Sequence, residues 1–146
     1  MGIRILTLLF LAALCLCVGC SDMTGDVPVC DICAHNWHLV SYNEEGTFSP
    51  VLPGTDITIR FLEDGSVTGS AGCNNYFSDY QVDGGLVSFG PVSMTEKYCL
   101  EPPGVMEQER KYLALFADST RYTITKERLV LSHYDTRKLL VFEAGA

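Results

Sequence analysis

Residues 56–70 read Asp56-Ile57-Thr58-Ile59-Arg60-Phe61-Leu62-Glu63-Asp64-Gly65-Ser66-Val67-Thr68-Gly69-Ser70. Ile57, Ile59 and Phe61 alternate with Thr58 and Arg60. That period of two puts the apolar set on one face of a strand. Glu63-Asp64-Gly65-Ser66 is a hairpin turn signal, and 67–70 reads as the returning strand. The same grammar runs outward in both directions. Strands are expected at 37–42, 76–82, 86–89 and 92–97, with Asp83-Gly84-Gly85 as a second turn. A closing meander is expected at 121–125, 129–133 and 138–142, turning at Lys126-Glu127 and Tyr134-Asp135-Thr136.

One segment breaks this period. Pro102-Pro103-Gly104 stops the preceding strand and opens a helix. Val105, Met106, Tyr112, Leu113 and Phe116 then recur at helical spacing, with Glu107, Gln108, Arg110 and Lys111 on the other side. The expected helix runs over about 103–117 and closes at Asp118-Ser119. The fold class is mainly β (α+β): a small antiparallel, barrel-like β-sheet with one helix packed across it. Many short strands favour closure, because closure removes exposed edges.

The N-terminus carries a different signal. Arg4 precedes an uncharged apolar run, 5–18, whose length of about 14 residues suits a signal-peptide core and is short of the roughly 20 that span a bilayer. Val18-Gly19 places small residues before Cys20, the pattern of a lipoprotein signal peptidase site, with Cys17 where an aliphatic residue is usual. Three segments follow: a signal peptide at 1–19, a lipid-anchored tether at 20–35 and a folded domain at 36–143. Cys20 is the expected lipid attachment residue, and the expected partner through it is the membrane. Ser21, where aspartate would signal inner-membrane retention, favours the outer membrane facing the periplasm.

Loss of Arg4 with the leader leaves 9 of the 10 basic residues against 18 acidic ones, a net charge of −9. Such a surface has little attraction for nucleic acid. Cys15 and Cys17 leave with the leader and Cys20 takes lipid. Cys30, Cys33, Cys73 and Cys99 remain in an oxidising compartment, where four cysteines allow three pairings.

The run from Gly65 to Tyr76, ending Gly72-Cys73-Asn74-Asn75-Tyr76, resembles the META domain signature. Thr95 and Cys99 fall in that family's Thr-x-Met-x-Cys segment, with Lys97 where methionine is usual. Met106, Glu107, Glu109 and Leu113 resemble its helix, 129–131 and 139–142 its closing hairpin, and Trp37 its opening tryptophan. The resemblance covers about 36–143 and extends to the HslJ-like heat-shock lipoproteins. It implies a barrel-like domain of an envelope protein linked to heat and drug stress, with no established enzymatic activity. It also implies a Cys73–Cys99 disulfide, since the family pairs those segments in space.

Other candidate groups have bland and sharp readings. Cys30 and Cys33 are expected to form a local disulfide that stiffens the tether. With His35 and His38 they make Cys-x-x-Cys-x-His-x-x-His, a ligand set that suits zinc or copper or, as a dithiol, redox work. Gly69, Gly72 and Asn74 are expected to serve backbone geometry. Glu109 falls inside the apolar stripe of the helix, where a carboxylate needs hydrogen bonds or a basic partner such as Arg60. The expected role is a structural buried carboxylate. No catalytic residue is expected: the three histidines, His35, His38 and His133, accompany no Gly-x-Ser-x-Gly elbow, and no phosphate loop occurs. The sequence therefore points to a non-enzymatic, cofactor-free envelope lipoprotein that binds a partner protein or a small apolar ligand. The alternatives are a metal or redox module, and a protease-inhibitor-like or assembly-factor protein acting through exposed loops. An apolar groove under the helix would favour a small ligand; a filled core with an exposed patch would favour a protein.

Overall fold

The computed structural model describes residues 32–135 and 137–145. The leader, Cys20, most of the tether, Cys30 and Thr136 lie outside the described residues. Among the described residues there are ten strands: β1 (Trp37–Glu44), β2 (Thr47–Pro50), β3 (Thr58–Phe61), β4 (Ser66–Ser70), β5 (Asn75–Asp83), β6 (Leu86–Phe89), β7 (Ser93–Met94), β8 (Arg121–Ile124), β9 (Arg128–Ser132) and β10 (Leu139–Ala144). One long helix, α1 (Val105–Ala117), lies between β7 and β8.

Eight strands close into an antiparallel barrel in the order β1-β3-β4-β5-β6-β8-β9-β10, with β10 returning to β1. β2 folds back on β1 and β7 pairs with β5 outside that ring. The alternation read at 56–61 holds: Ile57, Ile59 and Phe61 are buried, while Arg60 is exposed. β5 shows the same pattern, with Tyr76, Ser78 and Tyr80 inside and Phe77 and Asp79 outside.

Because neighbours in the ring are antiparallel, the barrel has two distinct ends. The chain enters and leaves at one of them, where Trp37 faces Ala144. That entry end also holds the turns after β3, β5 and β8. The far end holds the β1–β2 hairpin, the 51–57 loop, the turn at 71–74, the link from β9 to β10, and the whole connection from β6 to β8 with α1. The helix seals that end: the Phe116 ring packs at a tilt against Phe89 with 4.0 Å between ring centroids, and Tyr112 and Phe116 are fully buried.

Gly69 is required at its place in β4. A Cβ there would collide with the Thr58 carbonyl and stand 2.8 Å from the Tyr76 hydroxyl. Its absence lets Tyr76 donate to that carbonyl at 3.0 Å.

Four details differ from the sequence reading, each for a physical reason. β2 was hidden because its strand is largely exposed and lacks alternation; its turn uses Glu45 (φ 59°) and Gly46 (φ 92°), with Asn43 Oδ1 accepting from the Gly46 N–H at 2.8 Å. The expected strand at 92–97 shrinks to Ser93–Met94, because from Thr95 onward the chain bonds to the Asn74 side chain. The helix starts at Val105, not 103: Gly104 takes φ 92° and Val105 closes a turn on the Pro102 carbonyl. Gln108, expected outside, is buried. Its Oε1 accepts from the Leu52 N–H at 2.7 Å and its Nε2 donates to Thr55 at 2.9 Å, so it pins the 51–57 loop to the helix.

Candidate functional site: a clasped loop at the far end

The turn Ala71-Gly72-Cys73-Asn74 leaves β4 with Gly72 at φ 104°. Asn74 is 1% exposed, and all its polar groups are engaged. Its carbonyl accepts from the Ala71 N–H at 2.7 Å. Its Oδ1 accepts from Thr95 Oγ1 at 2.8 Å and from the Lys97 N–H at 2.7 Å. Its Nδ2 donates to the Lys97 carbonyl at 3.0 Å and to Glu109 Oε1 at 2.8 Å. One side chain thus holds the main chain of Lys97 on both sides. Asn74 serves more than backbone geometry: it is the hub joining the turn, the loop and the helix.

Glu109 lies beneath this hub at 2% exposure. Its Oε2 accepts from the Asn74 N–H at 2.7 Å and from the Cys73 N–H at 3.3 Å. Backbone amides and an asparagine are its partners, while Arg60 stands exposed on β3. A carboxylate committed to these donors in a buried place holds structure and is poorly placed for proton transfer. Beside it, Cys73 and Cys99 form a disulfide. The Cys99 N–H also points at Met106 Sδ of α1, 3.4 Å away.

The clasp presents a run of side chains to solvent. Residues 93–98 are all exposed, Tyr98 at 78%, and Leu100 follows at 76%. Lys97 engages the clasp through its main-chain N–H and carbonyl, groups that a methionine would supply equally.

The other candidate residues disperse. The Cys33 thiol lies 3.4 Å from Tyr80 Oη, which donates to the Leu62 carbonyl at 2.9 Å. The His35 ring packs edge-on against Trp37, and His38 Nδ1 pairs with Asp56 at 2.8 Å. His133 Nδ1 stands 3.4 Å from Asp135. The expected Cys30–Cys33 bridge and the four-ligand metal reading both need Cys30, which lies outside the described residues. Among those residues, no group of three His, Cys, Asp or Glu is gathered as metal ligands.

Two buried hydroxyls link helix and wall: Tyr112 Oη and Tyr76 Oη are hydrogen-bonded to each other. Burial pushes both above the ordinary tyrosine value, so both are neutral. The space beneath α1 is filled by Tyr112, Leu115 and Phe116. Two surface depressions, of about 580 and 410 Å³, lie by Thr125, Arg128 and Glu143 and by Val82, Leu86 and Thr120; no α1 residue lines either.

Together these features define a small eight-stranded antiparallel barrel, capped by one helix and clasped by one described disulfide. The META domain family model matches residues 30–146, and the chain belongs to that family. No curated protein matches it. Among solved structures it is similar to a protein from Burkholderia xenovorans determined by NMR. The two are 25% identical with a TM-score of 0.65, over 79% of this chain and 84% of that one. In fold alone it is similar to a DUF4847 family protein from Bacteroides vulgatus, 15% identical with a TM-score of 0.58, over 78% of this chain and 94% of that one.

Proposed function

We propose that this META-domain protein is a lipid-anchored, non-enzymatic component of the cell envelope, held through Cys20 at the outer membrane, and that it acts by contacting another protein. The observation that carries the protein-contact reading is the filled interior beneath α1 set against the exposed Tyr98 and Leu100. A small apolar ligand needs an enclosed apolar pocket, whereas exposed apolar groups on a rigid support suit a protein partner. The polar residues at the clasp are consumed in holding it, which supports a non-catalytic role. Anchoring rests on the Val18-Gly19-Cys20 pattern.

The test has two arms. Cells fed an alkyne analogue of palmitate should label the wild-type chain and leave Cys20→Ala unlabelled; equal labelling removes the anchor. Native mass spectrometry of the full chain from detergent should give the acylated polypeptide alone. A stoichiometric copurifying apolar molecule would turn the reading to ligand carriage.

A further inference from the structure

Taking the protein-contact reading as its basis, we propose that residues 95–100 form a substrate-like inhibitory loop for a serine protease that cuts after aromatic residues, with Tyr98 as the side chain that enters the protease specificity pocket. The argument starts from what sits on either side of one peptide bond, Tyr98–Cys99. On the N-terminal side, the main chain of Lys97 is held through both its N–H and its carbonyl by Asn74. On the C-terminal side, Cys99 is bonded covalently to Cys73. Cys73 and Asn74 are consecutive, and both of their N–H groups are fixed by the buried Glu109 carboxylate. The two halves of the loop are thus secured independently to one rigid turn. Between them, Tyr98 makes the least use of the domain, at 78% exposure.

This arrangement decides what happens if a protease attacks. The protease serine hydroxyl adds to the Tyr98 carbonyl carbon, the C–N bond to Cys99 breaks, and the Cys99 amine leaves with a proton from the protease histidine. An acyl ester on Tyr98 and a free amine on Cys99 result, with no other reactant needed. In a flexible substrate the amine diffuses away and water takes its place. Here the disulfide keeps the amine beside the ester while Asn74 keeps the acyl side in register. The reverse attack, amine on ester, is intramolecular, and well-oriented intramolecular reactions reach effective concentrations of roughly 10⁵–10⁸ M. Re-formation of the peptide bond then outruns hydrolysis. A loop already fixed in its bound shape also loses little freedom on binding. The position fits such a partner: the loop lies at the far end of the barrel, away from where the chain enters from its anchor.

The experiment uses α-chymotrypsin as the probe and the full chain purified in detergent. The expected result is saturable inhibition of a chromogenic peptide assay, with a Ki in the micromolar range or tighter. Tyr98→Gly should weaken it at least 100-fold while the circular dichroism spectrum stays unchanged. Phe48→Ser, at an exposed aromatic elsewhere, should inhibit like wild type. Cys73→Ser with Cys99→Ser should become a substrate, cut between 98 and 99 with loss of inhibition; if that pair fails to fold, Tyr98→Gly still decides. The proposal is overturned if chymotrypsin keeps its full rate at chain concentrations well above the micromolar range, or if Tyr98→Gly inhibits equally. Should it fail while palmitate labelling and the ligand-free mass persist, the loop assignment falls and the anchored, protein-binding reading stands.

Discussion

At the entry end, Ile32 and Trp37 close the barrel with apolar area; at the far end, Asn74, Glu109 and a disulfide close it with directed bonds. Ile32 is 2% exposed and Trp37 fully buried, joined by a single hydrogen bond from Trp37 Nε1 to the Ile32 carbonyl at 2.9 Å. At Ile32 a side chain of similar volume and shape would serve at modest cost. The far end tolerates no such exchange. Each donor around Asn74 and Glu109 has one matched acceptor, and removal of one member leaves buried groups unpaired. The chain therefore adds specific polar residues to the apolar seal of α1 at the end that presents the exposed loop, and relies mainly on apolar area where it enters.

The sharpest way to break this contrast is at Glu109. Glu109→Ala strips the acceptor from the Cys73 N–H, the Asn74 N–H and Asn74 Nδ2. The expected loss is about 4 kcal/mol, from several buried donors at roughly 1–3 kcal/mol each. Glu109→Gln should lose about half of that. Glu107→Gln, whose partner Arg110 is exposed on the same helix, should leave stability almost unchanged, because solvent screens that pair. Urea denaturation of the three variants checks the order. Equal midpoints for the Gln variants would dissolve the claim that the far end is held by polar specificity.

Next comes the disulfide. Cys73→Ser with Cys99→Ser should lower stability by about 3 kcal/mol, the usual contribution of a loop of this size. Hydrogen exchange should show the loss concentrated in 95–101, with the amides of β9 and β10 less affected. Uniform loss across the barrel would show that the clasp supports the whole domain and not mainly the loop.

At the entry end, Ile32→Ala should cost about 2.5 kcal/mol, within the range for truncating a buried Ile, and Ile32→Leu less than about 1.5 kcal/mol. A chain begun at residue 36 would lack Ile32 altogether and should melt earlier than one begun at residue 30. Identical melting temperatures would place Ile32 outside the core.

These contrasts also explain what was legible beforehand. The strands at 57–61, 67–70 and 76–82 announce themselves, because burial on one face writes a period of two into the sequence. Glu109 was legible as a carboxylate out of place in an apolar stripe. Gln108 was not, because a buried amide on a helix looks like a surface residue until its two loop partners are known. Ile32 stayed hidden for a related reason: one apolar residue among polar ones in a tether has no period, and its burial depends on where β1 brings Trp37. Asn74 was visible as part of the family signature, yet its reach to Lys97, 23 residues on, is a property of the closed barrel. Local pattern reports which face of an element is buried; it does not report which distant backbone a polar side chain will meet.

The last effect is absent at neutral pH; it concerns the interior between the two ends and appears only in alkali. Tyr76 and Tyr112 carry hydroxyls raised above the ordinary tyrosine value, with burial the largest cause. A folded-state value above the unfolded one, about 10, means that the unfolded chain releases the proton first. The contribution is fully present below pH 10 and is lost as pH climbs toward the folded-state values. At pH 7 to 9, stability should thus be flat with respect to these groups. Above pH 10 it should fall by about 1.4 kcal/mol per pH unit for each buried hydroxyl. Tyr112→Phe removes one of the two and leaves Tyr76 bonded to the Thr58 carbonyl, so its slope above pH 10 should be shallower by about that amount. Urea midpoints at pH 8, 10.5 and 11.5 measure it. The same slope in Tyr112→Phe and wild type would mean that the hydroxyl ionises within the folded barrel, and that the seal made by α1 admits hydroxide.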